Sequence, residues 1–245
     1  MSLLRALSKI GIALAIAGAS FAAHAVVIDF DALDSSSGQP QPLLIFSEDG
    51  FTFDVSTVGN TDTDIDSAAI FNSNCQALPA VPCNGDEDIT PAMQGDNGIS
   101  GNVLIIQEPD SPVPDDDRGM GGDITLTVAA TPDDQAFRFV GASAIDNATF
   151  TFYADQSGDG IDLLLLGMIT IGPEGDVAGG TASTTFAIDS GFLQVGDAIV
   201  IDFSGSGAVD SLVLAPVPIP AALPLLLSAL AGLGLTARFR RKQVS

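Results

Sequence analysis

The body of this chain is a succession of short segments in which β-branched or aromatic residues alternate with polar ones. Each segment is bounded by Gly, Asp, Asn or Pro, a pattern that predicts β-strands joined by turns. No helical period is sustained between Val26 and Leu214, which argues against a helical fold for this part. The predicted strands are residues 26–33, 50–57, 68–71, 102–107, 123–128, 136–140, 148–154, 163–171, 184–188, 198–203 and 209–214.

These strands predict an all-β fold, namely an antiparallel β-sandwich of jelly-roll-like type in one domain over residues 26–215. In residues 149–152 and 125–128, apolar and polar side chains alternate, as they do in strands with one solvent-exposed face. Residues 163–166 are instead four consecutive leucines. That run predicts a strand that is buried on both faces or covered by a loop.

Residues 1–25 have the organisation of a cleavable signal peptide with a short apolar helix. Arg5 and Lys9 precede the apolar run 10–19, and Ala23 and Ala25 form the small-x-small site that a signal peptidase recognises. We therefore expect export and cleavage after Ala25. The alternative is an uncleaved anchor, but the run is shorter than a membrane span.

Residues 216–245 form a second hydrophobic element that predicts a C-terminal helix. The apolar run 221–237 is just long enough to span a bilayer, and four basic residues follow it within 238–242. The positive-inside rule keeps those basic residues cytoplasmic and places the body outside the inner membrane. Both ends of the chain thus predict the same topology.

The start of this element resembles a known sorting signal. Val217, Pro218, Ile219 and Pro220, followed by Ala-Ala-Leu-Pro, a Leu-rich stretch and an Arg cluster, resemble the VPLPA-CTERM variant of PEP-CTERM signals, with Ile219 in place of the commoner Leu. The resemblance implies a surface protein of an exopolysaccharide-producing bacterium that is processed by an exosortase-type transpeptidase. Residues 84–89, 101–108, 121–124 and 207–212 of the body, in this order, resemble β-sandwich passenger domains of that family. A plain membrane anchor is the alternative.

The charge of the body restricts its partners. Six of the eight basic residues lie in the two terminal elements, so the body keeps only Arg118 and Arg138. All 31 acidic residues lie in the body, which therefore carries a net charge of 2 − 31 = −29. Such a surface repels nucleic acid and anionic lipid headgroups. The acids are 27 Asp and four Glu, which fits either turn chemistry or calcium ligation.

The residue types of the body exclude histidine-dependent catalysis but leave catalysis by paired carboxylates open. The sole histidine, His24, leaves with the signal peptide, so the mature body has no imidazole for a Ser-His-Asp or Cys-His mechanism. A polysaccharide-acting hydrolase with paired carboxylates stays open, although the chain has no Trp and one Tyr to hold sugars. The expected class is non-catalytic.

Cys75 and Cys83, in an exported chain, predict a disulfide, with free thiols as the alternative.

Two acidic loops are candidates for calcium. Asp86, Asp88, Glu108 and Asp116 form the predicted site, because a hard cation takes several carboxylates that converge from loops. The alternative is a solvated acidic rim. A second match, residues 155–160, has the D-x-S-x-D-G opening of a calcium loop but carries Leu166 where the closing Glu belongs, so a hairpin turn is favoured there.

Together these features predict an exported structural or adhesive protein of the cell surface or extracellular matrix. It would associate with exopolysaccharide and bind carbohydrate with the help of calcium. In transit it would be anchored in the inner membrane.

Overall fold

The regular structure of the described residues consists of twelve β-strands and one 3-10 turn at Pro132–Asp134. The computed structural model describes residues 24–33, 42–59, 67–73, 101–107, 121–145, 148–171 and 181–217, all of which belong to one compact unit, His24–Val217. Within these ranges, no helix has the length and apolar character needed to cross a membrane. The strands are β1 Val26–Ile28, β2 Ile45–Glu48, β3 Phe51–Gly59, β4 Ser67–Asn72, β5 Asn102–Gln107, β6 Gly122–Ala130, β7 Phe137–Ile145, β8 Thr149–Asp155, β9 Leu163–Thr170, β10 Thr181–Thr185, β11 Ala198–Phe203 and β12 Ala208–Pro216.

The strands form two antiparallel sheets of six strands each. The first sheet has the order β10-β7-β12-β5-β4, with β1 paired to β12, and the second has the order β2-β3-β6-β11-β8-β9. From β5 to β12 the pairing is nested: β8 pairs with β9, β7 with β10, β6 with β11 and β5 with β12. Consecutive strands in this region mostly lie in different sheets. The predicted all-β class is confirmed.

One apolar core contains side chains from both sheets. The alternation along β6 shows how the sequence builds it, because Ile124, Leu126 and Val128 are buried while the residues between them are part-exposed. Burying each large apolar side chain stabilises the fold by roughly 1.5–3 kcal/mol. Phenylalanine dominates this core, with nine buried rings: Phe30, Phe46, Phe51, Phe53, Phe137, Phe139, Phe150, Phe152 and Phe203.

The first sheet also has a buried apolar patch outside this core. Strand β5 is buried along its whole length. Leu104 and Ile106 belong to the main core, whereas Val103 and Ile105 belong to a second, smaller cluster. The members of that second cluster are Ala69, Phe71, Val103, Ile105, Ile145 and Ala208.

Two strand predictions differ from the structure near the N-terminus. The predicted strand 26–33 ends at Ile28, because Phe30 has a positive φ of 61° and the chain turns, with the Leu33 amide donating to the Phe30 carbonyl at 3.0 Å. Strand β2 was not predicted. It forms a hairpin with β3 through Asp49 and Gly50, whose φ values of 49° and 85° suit a tight Asp-Gly turn.

Two further differences concern β9 and β10. Strand β10 covers 181–185 and not 184–188. The prediction that residues 163–166 form a strand buried on both faces or covered by a loop is wrong: β9 is the edge strand of the second sheet, and only Leu166 of the four leucines is buried. Leu163, Leu164 and Leu165 are 40%, 39% and 43% exposed. An edge strand has one neighbour only, so a continuous apolar run does not by itself place a strand inside a sheet.

Candidate functional site

Most of the residues that the sequence singled out lie outside the described residues. This holds for the calcium ligands Asp86, Asp88, Glu108 and Asp116, for the predicted disulfide Cys75 and Cys83, and for Ala23, Pro218, Ile219 and Pro220. Ala25 and Val217 are described, one residue before β1 and one residue after β12.

Four carboxylates that the sequence did not single out lie near β1 and the middle of β12. We call Asp29, Asp31, Glu48 and Asp210 the β1 carboxyl cluster. The Glu48 carboxylate accepts hydrogen bonds from the backbone amides of Asp29 and Phe30, both at 3.2 Å. Asp31 accepts from the Asn102 amide at 2.7 Å. The turn after β1 therefore fastens β1 to both β2 and β5.

The same turn borders the point where the chain leaves β4 and returns to β5. The Ser73 amide and hydroxyl both donate to the Gly101 carbonyl, at 2.8 and 2.9 Å. A side chain at Gly101, where φ is 128°, would collide with the Asp31 carboxylate. Asn102 Nδ2 donates to the carbonyls of Phe30 and Leu33 at 3.2 and 2.7 Å. Glycine is thus required for this close approach.

Burial and neighbouring carboxyl groups raise the pKa of two members of the cluster, Glu48 and Asp210. Burial, aided by a hydrogen bond to the Asp29 side chain, raises the pKa of Glu48 to about 7. Burial, followed by the negative charges of Asp31 and Asp29, raises the pKa of Asp210 to about 6. Glu48 and Asp210 therefore change charge between about pH 6 and 7, whereas ordinary carboxyl groups do so near pH 4.

Among the described residues, no group of three or more His, Cys, Asp or Glu side chains is placed to hold a metal ion. A side-chain interaction with Asp29 contributes to the raised pKa of Glu48.

The loop at residues 155–160 uses its first carboxylate for its own backbone. Asp155 is 1% exposed and accepts from the Ser157 amide and hydroxyl and from the amides of Gly158 and Gly160, at 2.7–3.0 Å. Burial raises the pKa of Asp155, but these hydrogen bonds outweigh that effect and hold it below its ordinary value. Because the carboxylate oxygens are already occupied, the geometry is that of a turn, as the missing Glu indicated.

A second pair of acids lies on adjacent strands of the second sheet. Asp123 on β6 is directly opposite Asp202 on β11. Burial raises the pKa of both groups, and the charge of Asp202 adds to the effect on Asp123. Like charges directly opposite each other destabilise a sheet. The strand periodicity shows the outward position of each acid, but their pairing depends on the register of distant strands.

A shallow cleft of about 280 Å³ lies at one end of the sheets. Its apolar walls include Val26, Phe51 and Pro216, and Asp49 and Asp133 lie at its rim. Ligand pockets of proteins are about 300–1,000 Å³, so this cleft is at the lower limit. Its position is informative, since it lies where β1 begins and β12 ends.

Comparison with known proteins identifies no family for this chain. The chain matches no protein-family model, and no curated protein is significantly similar to it.

Proposed function

We propose that this chain is an exported, non-catalytic protein of the cell surface or extracellular matrix, with a structural or adhesive role in association with exopolysaccharide. The observation that carries the proposal is the position of the fold between the two sequence signals. Strand β1 begins at Val26, directly after the expected cleavage site, and β12 ends at Pro216, directly before the motif 217–220. Removal of either terminal element leaves every described strand intact.

The body is a jelly-roll β-sandwich in this proposal. The nested pairing of β5 to β12, first strand with last, is what results when one long antiparallel hairpin is rolled into two sheets. The shared core supports face-to-face packing of the sheets. Strands β1 to β4 extend the edges of this roll. Jelly rolls occur among lectin domains, and that is an analogy of fold alone.

The proposed partners follow from the C-terminal element. The apolar run 221–237 would hold the chain in the inner membrane until an exosortase-type enzyme processes the motif 217–220. The mature protein would then be displayed at the cell surface or in the matrix. With a net charge of −29, the body is unsuited to nucleic acid.

Calcium is the proposed aid to carbohydrate binding. The proposal rests on the sequence, in which Asp86, Asp88, Glu108 and Asp116 are the hard oxygen ligands. Titration of the chelator-treated protein with calcium, followed by calorimetry and by the melting temperature, tests it. We expect heat of binding and a higher melting temperature. No heat and no shift would remove calcium from the proposal.

Incubation of the mature protein with the exopolysaccharide of its own bacterium tests the function. The proposal predicts that the protein is retained on the polymer, that retention falls after chelation, and that no new reducing ends form. New reducing ends would favour the alternative function, a secreted polysaccharide hydrolase with paired carboxylates. Neither retention nor new reducing ends would contradict the association with exopolysaccharide.

A further inference from the structure

Two loops at one end of the sheets expose large apolar side chains. Ile161, in the loop 156–162, is 78% exposed, and Phe192 and Val195, in the loop 186–197, are 53% and 52% exposed. We call these two loops the apolar tip. Single exposed apolar residues are ordinary on a protein surface. Ile188, in the same second loop, is 49% exposed. Four such residues on two joined loops at one end of the molecule require an explanation.

The two loops are held together by direct contacts. The Gln156 side chain donates to the Ser190 carbonyl at 3.2 Å and reaches the Phe192 carbonyl at 3.5 Å. A side chain at Gly158 would collide with the carbonyl oxygen of Gly196. These contacts hold the two loops against each other.

The apolar tip is next to the place where the chain leaves the fold for its C-terminal element. Val217 donates its amide to the Ala136 carbonyl at 3.1 Å. The residue after Ala136, Phe137, exchanges two backbone hydrogen bonds with Leu193, at 2.9 and 2.8 Å. Leu193 lies between Phe192 and Val195 in the second loop. A continuous hydrogen-bonded path thus joins the departure point of the chain to the apolar tip.

The length of the connecting chain limits how far the apolar tip can be from a bilayer. The apolar run begins at residue 221, four residues after Val217. Four extended residues span at most about 14 Å. If the apolar run is in the membrane, as the proposed function requires, the departure point lies within that distance of the run.

Charge decides which lipid surface suits the tip. Asp159, Asp162 and Asp189 lie on the two loops and would repel anionic headgroups. Arg138 pairs with Asp189 at 3.0 Å and stacks over the Phe192 ring, 4.9 Å from its centroid. This guanidinium can accompany the ring to the level of the lipid phosphates, as arginine does at membrane interfaces.

We propose that the apolar tip inserts Ile161, Phe192 and Val195 into the interface of a zwitterionic phospholipid bilayer while the C-terminal element anchors the chain. This inference rests on the anchored topology of the proposed function and adds an orientation to it. The end of the sheets with Val26 and Val217 faces the bilayer. The opposite end, where β3 reaches Val58, faces away.

The absence of tryptophan from the chain provides a clean test. Phe192→Trp and Ile161→Trp each place one fluorophore on the apolar tip, and Val58→Trp places one at the opposite end, where Val58 is 66% exposed. The full-length chain carrying each substitution is reconstituted into phosphatidylcholine vesicles with and without brominated acyl chains. Flotation with the vesicles reports anchoring, emission reports depth, and circular dichroism reports folding.

We expect all three variants to float. The Phe192→Trp and Ile161→Trp variants should lose at least about half of their emission to the brominated chains, as side chains at the headgroup and acyl boundary would. The Val58→Trp variant should lose little. Replacing part of the lipid with phosphatidylglycerol should weaken the quenching of the Phe192→Trp variant, because the acids of the tip repel anionic headgroups.

Four results would overturn the inference. Floating chains whose tip fluorophores are not quenched would contradict insertion while leaving the anchor intact. Equal quenching of the Val58→Trp variant would contradict the orientation. A concentration-dependent blue shift of the Phe192→Trp variant without lipid would assign the apolar tip to a second copy of the chain. Failure to float would contradict the anchored topology itself, and the inference with it.

Discussion

At the scale of single residues, the fold shifts the pKa values of Asp155, Glu48 and Asp210 in two opposite directions. Asp155 is held as an anion by hydrogen bonds from its own turn. Glu48 and Asp210 are held as acids by burial and by neighbouring carboxylates. The composition gives these acids the same formal charge, so the different directions of their pKa shifts depend on the fold.

Asp155→Ala should destabilise the protein. The change removes the buried acceptor of several backbone amides, and leaving them without partners costs about 2–3 kcal/mol of unfolding free energy. Asp162→Ala, in the same loop, is the matched control and should have little effect. Urea unfolding of the two variants at pH 7 checks the prediction. Equal loss in both would mean that the Asp155 hydrogen bonds do not hold the turn.

Asp210→Asn should remove part of the pH dependence of stability. Because the pKa of Asp210 rises from 3.8 to about 6 on folding, the native state keeps a proton that the unfolded chain has lost. The unfolding free energy should therefore be full below pH 4 and fall as the pH rises to 6, with Glu48 extending the fall to about pH 7.

At pH 8 the Asp210→Asn variant should be more stable than the natural protein by about 1 kcal/mol, after discounting for partial solvent exposure. Asp54→Asn, at an exposed position on β3, removes the same charge and is the control. Urea melts at pH 4, 6 and 8, at fixed ionic strength, measure both variants. An equal gain in both at pH 8 would attribute the effect to net charge alone.

At the scale of elements, local pattern predicted some strands to the residue and missed others for identifiable reasons. Strands β5 and β11 have the predicted bounds, 102–107 and 198–203, because apolar, strand-forming residues fill them and turn residues flank them. Strand β2 was missed although Asp49 and Gly50 are a hairpin signal. Phe30 ended β1 early, and a positive φ at a phenylalanine has no signal in the sequence.

Strand β9 is predicted to be a site of self-association when the net charge is low. It is an edge strand without a charged residue, and unguarded edges pair with other chains. Leu165→Lys should lower light scattering of the mature protein near pH 4–5, where the carboxylates are partly protonated. Thr125→Lys, on the interior strand β6 between β3 and β11, adds the same charge and should not. Equal scattering by both variants would exclude the β9 edge.

At the scale of the whole molecule, the described strands begin at Val26 and end at Pro216, between the two predicted terminal elements. The sequence predicted the fold class, because the alternation of strand residues is a local pattern. The two terminal signals stay predictions. The sequence could not predict the β1 carboxyl cluster, since Asp29, Glu48 and Asp210 meet only through the pairing of β1 with β12 and their packing near β2. The apolar tip was hidden for the same reason, because Ile161 and Phe192 belong to loops joined only in the folded chain.

We propose that the body is exported and released from both of its terminal elements. The intact mass and the N-terminal sequence of the mature protein, taken from the surface or matrix of its own bacterium, test this proposal. We expect an N-terminus at Val26 and the loss of the apolar run 221–237 together with its basic tail. A chain that begins at Met1, or that still ends at Ser245, would contradict it.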